Sequence, residues 1–238
     1  MFETLKRLFA GAATARSGRL GSEADSIRQL LFASQSLREQ AGPMRPDGRP
    51  EPAQAIADAW RLVEEGKAKE ALARLRAVLD LPALETRMEL FVWSALRELG
   101  ERPEGKSAFE VLGAVLEVPS GDGYDTLAGY VDGSARYLNF SGKAIFWDAP
   151  LPAVKRLCQE LVDSTILASA KARPRTSLSL PKRGIQATML TRSGPFLILA
   201  PPPGVVNAGR ALMLELIRRA QENERAAAEG GKEPEGAA

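Results

Sequence analysis

Histidine is absent from the 238 residues of this sequence, and cysteine occurs once. Histidine is the commonest general base near neutral pH and the commonest protein ligand of metals. Its absence excludes Ser-His-Asp and Cys-His catalytic centres, and it excludes zinc sites of the usual cysteine and histidine type. Chemistry based on carboxylates, lysine or tyrosine stays open, as does an oxygen-ligand site for magnesium or calcium. We therefore predict no cofactor, no metal site and no catalytic residue, and hence a protein that is not an enzyme.

The single cysteine, Cys158, cannot form a disulfide within the chain, which suits a reducing compartment and predicts a cytoplasmic protein. It shares one helical face with four apolar residues: Val154, Leu157, Leu161 and Val162. This spacing predicts a buried thiol with no chemical role.

Long apolar runs are also missing, so we predict no transmembrane helix. Residues 1–9 instead place apolar side chains at helical spacing, with Lys6 and Arg7 on the other side. Two interpretations stay open: a first helix that packs on the protein, or a short amphipathic helix that docks on a membrane surface or a partner. The sequence also lacks the glycine-lysine-serine/threonine phosphate loop, the dinucleotide-binding glycine fingerprint and the nucleophile elbow of hydrolases.

Apolar periodicity, prolines and glycines divide the chain into five predicted segments. These are N-terminal helices (1–41), a Pro/Gly linker (42–52), a helical region (53–104), an α+β domain (105–225) and a disordered tail (226–238). Within the first segment, one continuous helix is predicted over residues 23–40, with Ser22 as its N-cap. The linker holds four prolines and two glycines, which interrupt helices.

Apolar spacing within the helical region predicts helices over residues 53–65, 67–79 and 84–99. The turn at Gly66 and the helix after it resemble a tetratricopeptide repeat in this pattern: Gly66-Lys67-Ala68-Lys69-Glu70-Ala71-Leu72, then Leu75, Val78 and Pro82. The resemblance covers about one and a half units and implies protein–protein binding. We predict a recognition groove with three aromatic residues: Trp60, Phe91 and Trp93.

The period changes from helix to strand at Phe109. Four strands are predicted between Phe109 and Trp147, then a helix over residues 150–170, a hairpin over 184–200 and a last helix over 207–225. The order ββββ-α-ββ-α indicates an α+β domain, an antiparallel sheet with helices on one face. Residues 123–147 resemble a segment of uncharacterised bacterial proteins, which implies a bacterial protein but no activity.

Aromatic residues of the sheet form a second predicted recognition surface, around Tyr137 and Trp147. Because Phe146 and Trp147 are adjacent in one strand, their side chains point to opposite faces of the sheet. An aromatic residue on an open face would offer a partner site. If the N-terminal helices cover that face, the same residue belongs to the core, and both alternatives stay open.

Five basic residues, with no acidic residue between them, follow the helix predicted over residues 150–170: Lys171, Arg173, Arg175, Lys182 and Arg183. They predict an anion-binding loop for nucleic acid, lipid headgroups or an acidic protein. Residues 101–132 carry seven acidic residues, so mutual neutralisation of the two regions is the favoured alternative. A net charge of only +2, and the lack of aromatic residues within the loop, argue against nucleic acid.

Three aspartates, Asp122, Asp125 and Asp132, form the best carboxylate cluster. A strand of seven residues at about 3.3 Å each separates Asp132 from the other two by more than about 20 Å. Aspartate in turns usually accepts backbone hydrogen bonds, and we favour that role here.

The predicted function is that of a non-catalytic protein-binding or adaptor protein of the bacterial cytoplasm. Its partner is another protein, and self-association stays open. One alternative is a histidine-independent enzyme with a carboxylate site near residues 121–125. The other is a protein that binds nucleic acid or lipid through residues 171–183.

Overall fold

The computed structural model of the chain describes residues 27–42, 51–120, 123–148, 151–181 and 183–230, with side-chain burial through residue 226. The predictions for residues 1–9, for Asp122 and Lys182, and for most of the linker and tail lie outside the described residues. Within these ranges, no helix has both the length and the apolar character needed to cross a membrane.

The N-terminal part is helical and contains one break that the sequence pattern did not predict. Its helices are α1 (residues 27–31), α2 (Leu37–Ala41), α3 (Ala53–Glu64), α4 (Ala68–Leu79) and α5 (Thr86–Glu98). The prediction of a continuous helix over residues 23–40 is wrong, because Ser36 begins a new helix. Its hydroxyl accepts from the Glu39 amide at 3.2 Å, while the Glu39 carboxylate accepts from the Ser36 amide at 2.8 Å. This reciprocal capping box stabilises the N-terminus of the new helix α2.

The three helices predicted over residues 53–99 are present, with ends within two residues of the predicted ones. Gly66 adopts φ +74°, a left-handed conformation that glycine reaches without strain. The amide of the next residue, Lys67, donates to the Leu62 carbonyl at 2.8 Å and ends helix α3. The turn that motivated the repeat resemblance therefore forms, although one hairpin does not define a family.

A seven-stranded antiparallel sheet follows. The strands are β1 (Val111–Ser120), β2 (Gly123–Tyr130), β3 (Ala135–Leu138), β4 (Ala144–Trp147), β5 (Arg173–Pro174), β6 (Gln186–Thr191) and β7 (Gly194–Leu199). They lie in the order β4-β3-β2-β1-β6-β7-β5, with helix α6 (Pro152–Leu167) after β4 and helix α7 (Pro203–Gly230) after β7. The α+β class is confirmed. The first strand starts at Val111 rather than Phe109, because residues 106–109 form a 3₁₀ turn.

Helices cover both faces of the sheet. Alternate residues of β1 point to opposite sides, so Leu116 packs with α6 and α7 while Val115 packs with the N-terminal helices. As predicted, α6 and α7 lie on one face of the sheet. The N-terminal helices form a second helical layer on the opposite face. An open aromatic face is not found among the described residues, since Tyr137 is 9% exposed and Trp147 is partly buried.

The turn between β2 and β3 packs closely on helix α6. Gly133 has φ +89°, and a Cβ built there would lie 2.8 Å from Cβ of Lys155 and 3.2 Å from its Cα. Only glycine satisfies both the backbone conformation and the close approach. This contact sets how near α6 lies to the sheet.

We expect Gly133→Ala to lower the free energy of unfolding by about 1–3 kcal/mol more than Gly184→Ala, because overpacking adds to the backbone strain. Gly184 is a matched control, since it also has a positive φ of +74° but no atom within 4 Å of the position that a Cβ would take. Urea unfolding of both variants measures the difference. Equal decreases in the free energy of unfolding would show that the structure around Lys155 accommodates the added methyl group without an energetic penalty.

Candidate functional site

The predicted aromatic groove is largely part of the core. Phe91 is 2% exposed, and Trp60 and Trp93 pack against the same buried cluster. On the other side of the sheet, the Tyr137 hydroxyl donates to Asp125 at 3.1 Å. The Trp147 Nε1 is buried without a hydrogen-bond partner among the described residues. These five residues thus lie in two separate clusters, and burial leaves little aromatic surface for a partner.

One of the four described basic residues of the predicted anion-binding loop does not lie at the surface. Lys171, Arg173 and Arg183 are exposed, whereas Arg175 is buried. Arg175 pairs with Glu117, as mutual neutralisation of the basic and acidic regions predicts for this residue.

Asp125 lies within strand β2 rather than in a turn, Asp132 lies in the turn after that strand, and both accept hydrogen bonds from the protein itself. Asp125 also accepts from the Phe140 amide at 2.9 Å. Asp132 accepts from the Ser134 amide at 2.9 Å and from the Thr86 amide at 2.8 Å, so it caps the first turn of α5 from a distant part of the chain. Burial raises the pKa of Asp132, but the hydrogen bonds from Thr86 and Ser134 outweigh it and hold that pKa below the ordinary value.

The Cys158 thiol is buried as predicted, and burial raises its pKa to about 12. A thiol in this state is protonated and weakly nucleophilic at neutral pH. Among the residues that the structure describes, no group of three or more acidic or cysteine side chains is placed to hold a metal ion.

A buried charge cluster joins the N-terminal helices to the sheet. Glu117, on the central strand β1, is fully buried. Its Oε1 accepts from Nε of Arg28 at 2.9 Å, and its Oε2 accepts from Nη1 of Arg175 at 2.7 Å. Arg175 also donates to the Thr188 hydroxyl at 2.7 Å. A fully buried carboxylate is tolerated inside a protein only where paired cations and hydrogen bonds replace its water.

Counted over the described residues, the cluster contains two cations for one anion, and nearby groups offset part of the excess positive charge. The guanidinium carbons of Arg28 and Arg175 lie 5.0 and 4.9 Å from the ring centroid of Phe32. Arg175 donates to the carbonyl of Ser177 at 3.0 Å, and Arg28 donates to that of Leu178. The loop after β5 is thereby bound to helix α1.

A polar cleft of about 490 Å³ lies beside this cluster. It is open to solvent and lies between α5, the loop after β5 and the segment from α1 to α2. Nine of the described residues line it: Gln29, Ser34, Gln35, Ser36, Glu39, Ser94, Arg97, Glu98 and Leu178. Its volume falls within the range of ordinary ligand sites. We take it as the candidate functional site.

Arg97 is the cation of the cleft. Its Nη1 donates to the carbonyl of Arg192, and none of its nitrogens pairs with a carboxylate of the described residues. Burial lowers the pKa of Arg97 to about 10, and the positive charge of Arg102 adds to this. The acids of the rim are partly engaged, since Glu39 accepts from Ser36 and Glu98 accepts from the Leu37 amide at 3.4 Å.

The buried cluster positions one wall of the cleft. Arg28 precedes the lining residue Gln29, and its hydrogen bond to Leu178 holds a second lining residue. The Tyr130 hydroxyl adds a hydrogen bond of 2.6 Å to the Leu31 carbonyl. Sequence reasoning missed the cleft because its residues come from three distant segments. One signal was available: Glu117 interrupts an otherwise apolar strand.

We expect Glu117→Gln to lower the free energy of unfolding by about 3–5 kcal/mol, because it leaves two buried guanidinium groups without a counter-charge. Glu160→Gln is the matched control, since it breaks an exposed pair with Arg156 on one helix and changes stability by about 0.5 kcal/mol or less. Urea unfolding at neutral pH measures both. Similar losses for the two variants would contradict a dominant role of Glu117.

Asp132 is expected to make stability depend on acid pH. Its folded-state pKa lies below the unfolded value of about 3.9, so the unfolded state binds the proton more tightly. The charge therefore stabilises the fold above about pH 4, and this contribution is lost as the pH falls through the folded-state pKa. Unfolding experiments from pH 7 to pH 3 should show the stability gap between wild type and Asp132→Asn closing on acidification. A gap that widens on acidification would reverse the sign and refute this assignment.

The chain matches no protein-family model, no curated protein and no solved structure. Neither the resemblance of residues 66–82 to a tetratricopeptide repeat nor that of residues 123–147 to bacterial proteins is tested by a relative. Function is therefore inferred from the arrangement of the chain's own side chains.

Proposed function

We propose that this chain is a non-catalytic binding protein of the bacterial cytoplasm, and that its polar cleft receives a segment of another protein. The observation that supports this best is the cleft itself, which is open to solvent and lined almost entirely by polar side chains. An open, polar surface suits side chains that arrive from a partner, whereas small cofactors are usually enclosed in largely apolar pockets.

The placement of the reactive side chains supports a non-catalytic role. Asp125 and Asp132 accept hydrogen bonds from the backbone, and Cys158 is a buried thiol. The Tyr130 hydroxyl donates to a backbone carbonyl, and burial raises its pKa. A catalytic acid or base needs a pKa near the working pH and access to substrate. Burial raises the pKa of Cys158 and of Tyr130 and removes both groups from solvent. Hydrogen bonds hold the pKa of Asp132 below its ordinary value.

The charge distribution favours a protein over nucleic acid as the partner. Arg175 is neutralised by Glu117, which removes one of the five charges predicted for an anion-binding loop. Glu39 and Glu98 line the cleft, and their negative charges would repel a polyphosphate backbone.

The test is an affinity capture from a lysate of the source organism, with tagged wild type, Ser94→Tyr and Gln159→Tyr, washed at low and high salt. The tyrosine at position 94 fills the cleft, while Gln159 is an exposed residue of α6 beyond the other face of the sheet. We expect a stoichiometric protein that resists high salt on wild type and on Gln159→Tyr. Ser94→Tyr should retain it at least about tenfold less, a loss of about 1.4 kcal/mol.

Three outcomes would contradict the proposal. One is the absence of any stoichiometric protein on wild type, and another is equal capture by Ser94→Tyr. The third is capture of only nucleic acid or lipid that is released at high salt, which would favour the anion-binding alternative. A second copy of this chain as the captured protein would support the proposal and identify self-association.

A further inference from the structure

We infer that the cleft recognises a carboxylate, and that the Arg97 guanidinium binds it. This inference rests on the proposed function, because it names the chemical group that the partner segment brings to the same cleft.

Arg97 differs from the other buried and half-buried arginines in its lack of a carboxylate partner among the described residues. Every other arginine of the described residues that is not exposed has a carboxylate oxygen within 4.0 Å: Arg28, Arg74, Arg87, Arg136, Arg175, Arg192 and Arg219. Arg97 alone in that set has no such partner among the carboxylates that the structure describes. A partly buried cation is destabilised by the loss of water, so a missing counter-charge at a solvent-open cleft indicates that an external anion supplies it.

The hydrogen-bonding capacity of Arg97 fits a carboxylate. A guanidinium carries five N–H donors in one plane, and in the described residues Arg97 uses Nη1 alone, toward the Arg192 carbonyl. The remaining donors match the two oxygens of a carboxylate in a bidentate arrangement. Ser94 lies one helical turn before Arg97 and also lines the cleft, so its hydroxyl is placed beside the same ligand.

The acids of the rim restrict which anion fits. Among the described lining residues, Glu39 and Glu98 carry two formal negative charges against the one positive charge of Arg97, so the formal charge of this lining is −1. A phosphate or a run of acidic residues would bring more negative charge than Arg97 can balance. A single carboxylate balances it one to one. The ligand is therefore one glutamate or aspartate side chain, or the free C-terminus of a peptide chain.

The test follows the Arg97 Nε–Hε resonance of the wild-type protein by NMR while short synthetic peptides are added. One peptide carries a single glutamate and an amidated C-terminus, the second replaces that glutamate by glutamine, and the third is neutral with a free C-terminus. We expect a saturable shift of the Arg97 resonance with the first or the third peptide and none with the second. Which of the two binds distinguishes a side chain from a chain terminus.

Variants then separate a specific contact from general attraction. Arg97→Gln should weaken binding at least about tenfold, and Arg97→Lys should weaken it less, because lysine keeps the charge but lacks the planar fork. Arg38→Gln is the matched control, since it removes an equal charge from an exposed residue that precedes the lining residue Glu39 and lies outside the cleft lining itself. It should change binding by less than about twofold. Thermal unfolding of each variant confirms that it is folded.

The inference is overturned if no peptide shifts the Arg97 resonance, or if Arg38→Gln weakens binding as much as Arg97→Gln. It is also overturned if a protein captured by wild type binds Arg97→Gln equally well, in which case the proposed function still stands. Binding of a peptide carboxylate at Arg97 without any captured protein would support the inference and contradict the proposed function.

Discussion

The buried carboxylate of Glu117 lies on the central strand of the sheet, and three parts of the chain are arranged around it. Its partners come from the first described helix and from the loop after β5. A buried charge is tolerated only in a nearly complete shell of partners. The N-terminal helices, the sheet and the loop are therefore mutually dependent, because none of them alone supplies that shell.

The contrast between buried arginines separates structure from recognition. Arg28 and Arg175 are surrounded by a carboxylate, carbonyl oxygens and the face of Phe32, so few of their donors remain for another molecule. Arg97 is also partly buried but faces an open cleft and has no acidic partner among the described residues. One residue type thus stabilises the fold in one setting and leaves binding capacity in the other. The difference lies in the neighbours rather than in the arginine itself.

Local signals in the sequence predicted the parts of the fold that local interactions determine. The helices around Gly66 formed where apolar spacing and glycine placed them. Six of the seven described strands formed in the segments that alternation and turn residues indicated, whereas β5 was predicted as part of a loop. The break before Ser36 was missed because its capping box lies within a sequence of otherwise helical periodicity. The partners of Glu117 lie 89 and 58 residues away, and no short-range pattern indicates such pairing. The cleft was unpredictable for the same reason.

The two-residue strand β5 has a consequence for how this protein behaves at high concentration. It is an edge strand of the sheet and consists of Arg173 and Pro174. These two residues pair with Leu197 and Phe196 of β7. Exposed sheet borders are the places where identical chains begin to stack into fibrils, since unpaired backbone groups there can pair with another strand. Proline has no amide hydrogen, and an exposed arginine resists close stacking of like copies. At this border the chain is protected against amyloid-like growth by its own composition.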